Sequence, residues 1–68
     1  MLTKSQLSTA VLLLRQACAS VEWVRLLFFG AGEHEHAARL NDISARLTDE
    51  AKLVEDMIPQ APDSAGHA

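Results

Sequence analysis

Apolar residues return at alternating three- and four-residue steps through the first half of the chain: Leu7, Ala10, Leu14, Ala17, Val21, Val24 and Phe28. That period predicts an α-helix, and neither Gly nor Pro interrupts it between Lys4 and Phe29. Its start is marked. Thr3 with Gln6 three residues on forms a capping box, and Leu2 and Leu7 occupy the staple positions on either side of the cap. Gly30 is the expected terminator, because glycine takes the left-handed conformation without steric cost. A second stripe follows: Ala37, Leu40, Ile43, Leu47, Ala51, Val54 and Met57. It predicts a helix from Glu33 to Met57 that Pro59 ends. Glu33 and Glu35 fall in its first turn, where carboxylates complement the helix dipole. Glu35–Arg39 and Asp42–Arg46 are spaced for ion pairs one turn apart, each worth about 0.2–0.5 kcal/mol. Gly30-Ala31-Gly32 is a short connection, and short connections favour antiparallel neighbours. The expected fold is therefore all-α: an antiparallel two-helix hairpin over residues 1–58, with helices 4–29 and 33–57 and a loop at 30–32. Residues 59–68 hold both prolines and read as a disordered tail. No internal repeat is present.

The two helices differ in kind. The second has one dry stripe, and its remaining positions are polar or charged, among them Asn41, Asp42, Arg46, Thr48, Asp49, Lys52, Glu55 and Asp56. The first is apolar nearly all round. Beside its main stripe, Val11, Leu12, Leu13, Cys18, Ala19, Leu26, Leu27 and Phe29 cover the adjacent faces, with Trp23 at their edge. Only Ser8, Thr9, Arg15, Gln16 and Glu22 make a polar strip. One partner helix cannot cover so much, and a helix apolar on all sides is normally buried on several. A 68-residue chain is also too short for a lone hairpin to offset its ordering entropy, and small domains without disulfide or metal often associate. The expectation is a homodimer, first helices inside and second helices outside, as a four-helix bundle.

Composition sharpens this picture. The chain is 49 % hydrophobic but only 4 % aromatic, with no Tyr, so its apolar content is aliphatic and suits helices. The net charge of -3 disfavours a general nucleic-acid binder. Charge also divides between the helices: the first carries Lys4, Arg15 and Arg25 against Glu22 alone, while acids outnumber bases in the second. Arg15, Gln16, Glu22 and Arg25 interrupt the apolar run at 10–29, and each Arg at a bilayer centre costs about 2.5–3.5 kcal/mol. No membrane span is expected. The run Ala10–Leu14 is short for a signal-peptide core, so the chain reads as cytoplasmic.

Candidate chemistry is sparse. Gly32-Glu33-His34-Glu35-His36 is the one cluster with metal-binding side chains. Residues two apart on a helix point about 200° apart, and the spacing is not that of a zinc-binding HExxH. It reads as a polar helix start, with His36 packing at the interhelical edge, and no metal or cofactor is expected. The single Cys18 lies on the apolar side of the first helix, where a structural thiol is the default. No nucleophile, base and orienting group stand together, so no enzyme is expected. Aromatic residues and Arg anchor interfaces. Trp23, Arg25, Leu26, Leu27 and Phe29, together with Leu12 and Leu13, are the candidate partner or dimer interface.

In length and helix–Gly-x-Gly–helix layout, residues 3–58 resemble small phage-encoded helical-hairpin proteins that neutralise bacterial host regulators. These include dimeric anti-quorum-sensing proteins that bind a host transcription activator. The likeness is one of layout, without a shared motif, and carries no binding residue across. It implies a stoichiometric inhibitor or adaptor that occupies the activator's DNA-binding region, to which an acidic second helix is suited. The layout is also similar to the plasmid copy-number regulator that binds paired RNA loops as a dimeric hairpin, a function that needs a basic face. A small secretion chaperone is a further alternative that the apolar first helix fits.

Overall fold

The computed structural model describes residues 1–63. Helix α1 spans Lys4–Gly30 and α2 spans His34–Met57, followed by one 3₁₀ turn at Ile58–Gln60. The two helices pack antiparallel along their length, and the Cα atoms measure 14 × 13 Å across the long axis. The described residues are thus one pair of helices thick, without a third layer.

The capping box at the start of α1 forms as the sequence requires. The Gln6 N–H donates to Thr3 Oγ1 (3.1 Å), and the Thr3 N–H donates to Gln6 Oε1 (2.9 Å). A third donor of that first turn, the Lys4 N–H, is met by the Pro62 carbonyl at 2.9 Å. This contact corrects the boundary of the tail. Pro59 sits in the opening of the 3₁₀ turn, where its missing N–H removes no bond. Pro62 then returns to the α1 N-terminus, and Asp63 lies 3.4 Å from Lys4 Nζ. Residues 59–63 are therefore seated against the hairpin rather than free of it; the rest of the expected tail, with His67, lies outside the described residues.

The helix terminator also differs from expectation. Gly30 stays helical, and the positive φ, 81°, falls on Gly32. The Gly32 N–H donates to the Phe29 carbonyl (3.1 Å) and the Glu33 N–H to the Phe28 carbonyl (2.9 Å). These two bonds are the Schellman pattern, with Gly32 as the left-handed residue. Two glycines two residues apart both satisfy the sequence rule; the one that lets the chain reverse into α2 takes the cap. Glu33 becomes the N-cap of α2, without a side-chain bond to the backbone.

The seam between the helices follows a seven-residue repeat. On α1 the seam runs through Leu7, Val11, Leu14, Cys18, Val21 and Arg25, all buried or half-buried, with Lys4, Ala10 and Glu22 half-buried beside it. On α2 they are Ala37, Leu40, Ser44, Leu47, Ala51 and Val54, continued by Ile58. Steps alternate between three and four on both, the spacing of a coiled-coil seam. Every seventh residue of α2 on this line, Ala37, Ser44 and Ala51, is small and buried, which lets the two backbones approach closely.

This seam departs from the expected stripes in a consistent way. Ala17 and Val24 face outward on α1, and Val11 and Cys18 take their place. On α2, Ile43 and Met57 are exposed, and Ser44 and Ile58 point inward. Both tracks along α1 share Leu7, Leu14, Val21 and Phe28, and apart from Arg25 both are free of charge, so periodicity alone does not choose between them. The expected pairs Glu35–Arg39 and Asp42–Arg46 are not within ion-pair distance among the described residues. On an exposed face, a few tenths of a kcal/mol does not hold two long side chains in register.

Candidate interaction surface

The hairpin is a flat ribbon with two edges and two outer faces, and cross-helix contacts fix which residues lie on each. One edge is polar. Arg15 reaches Glu55 at 3.2 Å, and Phe29 meets His34 edge-on with ring centroids 5.0 Å apart. Arg25 turns toward this side of the seam, half-buried, and pairs with Glu22. With Lys4 on Asp63, all three basic residues of α1 face a carboxylate.

Cys18 lies at the same edge. Its Sγ is 3.2 Å from Ser44 Oγ, 3.5 Å from Thr48 Oγ1 and 3.6 Å from the Ser44 carbonyl. The Ser44 hydroxyl first, and the Thr48 hydroxyl second, hold the thiol below its ordinary pKa by hydrogen bonding to the thiolate. Its neighbours are hydroxyls and a carbonyl, groups that order a thiol but do not take its proton at neutral pH.

The opposite edge is apolar on α1. The heptad positions place Ala10, Leu13, Ala17, Val24 and Leu27 of α1 there, beside Ile43 and Met57 of α2, whose heptad position also carries His36 and Glu50. Leu27 is 72 % exposed, and the other large side chains of this edge are also exposed. The outer face of α1 carries Leu12, Trp23 and Leu26, with Trp23 70 % exposed. The expected interface residues therefore separate: Leu13 and Leu27 on the apolar edge; Leu12, Trp23 and Leu26 on the outer face; Arg25 and Phe29 on the polar edge. The outer face of α2 carries exposed carboxylates at every seventh residue, Glu35, Asp42, Asp49 and Asp56. The polar side of α2 is legible in the sequence, but the alignment of these four carboxylates becomes visible once the heptad register is fixed.

The two histidines of the candidate metal cluster lie against different rings. His34 meets Phe29, and His36 meets Phe28 with centroids 5.4 Å apart. Among the described residues, no group of three or more His, Cys, Asp or Glu side chains is placed to hold a metal. An apolar cleft of about 300 Å³ closes the other end of the hairpin, lined by Met1, Leu2, Leu7, Met57, Gln60 and Ala61. Leu2 and Leu7, the staple residues, share this cleft. Among the described residues, no helix is long and apolar enough to cross a membrane.

No family model, curated protein or solved structure matches this chain.

Proposed function

We propose that this chain is a non-enzymatic protein-binding module: a homodimeric hairpin that acts as a stoichiometric inhibitor or adaptor. The observation that carries this reading is the uncovered surface of α1. Eight large apolar side chains between Leu12 and Phe29 are exposed, against three on α2. Contiguous apolar surface on a soluble domain marks a binding face, and here it covers more than one side of α1. The line of carboxylates on α2 adds a second, electrostatic surface, complementary to a basic partner such as the DNA-binding region of a transcription activator. The layout resemblance to phage inhibitors of bacterial regulators points to the same partner class, a quorum-sensing activator among them.

An RNA-binding reading is less well supported. The basic side chains of α1 are engaged by Glu55, Glu22 and Asp63, and Arg39, Arg46 and Lys52 lie on α2, where acids outnumber bases, which disfavours a face for phosphates.

The test is an operator gel-shift with a purified quorum-sensing activator, titrated with this chain and with its Trp23→Ala variant. Wild type is expected to abolish the shifted band at stoichiometric ratio. Trp23→Ala is expected to need more than tenfold higher concentration, since an aromatic interface anchor is worth about 2 kcal/mol or more. An undiminished shift at large molar excess of wild type would overturn the activator as partner.

A further inference from the structure

We infer that the second copy docks on the apolar edge of the ribbon, α1 against α1 and antiparallel, through Ala10, Leu13, Ala17, Ser20, Val24 and Leu27. This rests on the homodimer proposed above and specifies its face, direction and register.

The face follows from the seam. Each of these six positions lies one residue before a seam position: Val11, Leu14, Cys18, Val21, Arg25 and Phe28. One residue is a turn of about 100° around the helix axis, close to the angle between the two neighbours of a helix in a square four-helix bundle. The same rotation in the other direction gives Leu12, Arg15, Ala19, Glu22, Leu26 and Phe29. That track carries two charged residues, and both are engaged in ion pairs. The first track carries none. This α1 track is therefore the uncharged one, and it lies at the edge where α2 exposes Ile43 and Met57, with His36 and Glu50 at the same heptad position.

Surface area supports an occupant of this size. The chain, 7.4 kDa, exposes 5129 Å². A compact monomer of that mass exposes about 4,200 Å². The surplus, roughly 900 Å² on that scaling, is close to the ~800 Å² that each partner contributes to a stable interface. A rod carries extra surface by its shape, and a second rod laid alongside removes it.

The direction follows from side-chain size. An antiparallel pair that keeps all six positions in register has its two-fold axis at the level between Cys18 and Ala19. Ala10 then opposes the partner's Leu27, Leu13 the partner's Val24, and Ala17 the partner's Ser20. Leu27 fills the space that Ala10 leaves, and helix dipoles oppose. A parallel pair sets Leu27 on Leu27 and Ala10 on Ala10, widening some layers and emptying others. In the antiparallel arrangement the Leu12–Trp23–Leu26 face and the α2 carboxylates stay outside, free for another protein.

Cysteine pairing tests this. In a Cys18→Ser background, Leu13→Cys and Val24→Cys are prepared separately and co-refolded as a mixture; both sites are exposed within the hairpin. After mild oxidation, the mixture is expected to give a covalent dimer on a non-reducing gel, while each variant alone gives none. Self-linking of each variant alone would overturn the antiparallel register. Sedimentation equilibrium on the same samples separates the two levels. Twice the chain mass without any cross-link would overturn this face and leave the dimer standing; the mass of one chain would overturn the dimer itself.

Discussion

Gly30 and Gly32 should respond to the same substitution with opposite signs. Both have open space where a Cβ would stand, with no heavy atom within 4 Å. They differ only in backbone. Gly30 is the last residue of α1, so Gly30→Ala adds helix propensity and reduces the freedom of the unfolded chain, a gain of about 0.4–1 kcal/mol. Gly32 sits at φ 81°, where an L side chain crowds its own carbonyl, so Gly32→Ala costs about 1–2 kcal/mol. The two variants should differ by about 2 kcal/mol, and each kcal/mol moves the melting temperature of a domain this size by about 4–8 °C. Thermal unfolding followed by circular dichroism reads this directly. The melts are run at one protein concentration, because association makes the midpoint concentration-dependent. Gly30→Ala is expected above wild type and Gly32→Ala below it. A loss at Gly30 with no change at Gly32 would place the cap where sequence alone puts it and refute the Schellman assignment.

Three further outcomes follow from the seam and the cap. Ala51 is 0 % exposed, so Ala51→Leu overfills the closest approach of the helices and should cost about 1–3 kcal/mol; Ala45→Leu, on the exposed side of the same helix, should stay within about 0.5 kcal/mol, and equal melts for the two would contradict the seam. Thr3→Ala removes an N-cap that bonds Gln6 and should lower stability by about 0.5–2 kcal/mol, with amide exchange rising first in residues 4–6; unchanged exchange there would contradict the capping role. The thiolate of Cys18 is favoured by the Ser44 hydroxyl, so its alkylation by iodoacetamide should reach half-maximal rate at lower pH than for a free thiol, and Ser44→Ala should move that midpoint back up; an unmoved midpoint would contradict the hydrogen-bond assignment.

The hairpin itself was legible in the sequence because its signals are local and agree. Thr3 with Gln6, the absence of Gly and Pro to Phe29, and Pro59 each act within a turn of their own position, and helix termini fall within a residue of expectation. What periodicity did not decide was the rotation of α1. Two adjacent tracks on it are apolar but for Arg25, so Val11 and Cys18 look no different from Ala17 and Val24 until a partner helix is present. On α2, Ser44 is polar and so falls outside the apolar stripe. Its burial follows from tertiary context: it bonds Cys18, and it stands midway between Ala37 and Ala51 on the small-residue line. Seven-residue spacing of those three was the available signal. The same ambiguity governed the interface residues. Leu12, Leu13, Trp23, Leu26 and Leu27 are exposed on α1, and their division between an edge and an outer face needs the seam register.

The number of copies in solution bears most directly on the claim that α2 leaves α1 half uncovered. Sedimentation equilibrium across a micromolar dilution series should return twice the 7.4 kDa chain mass at the upper concentrations, with helicity falling as the dimer dissociates. A single-chain mass throughout, with full helicity and a cooperative melt at every dilution, would mean that one α2 is cover enough.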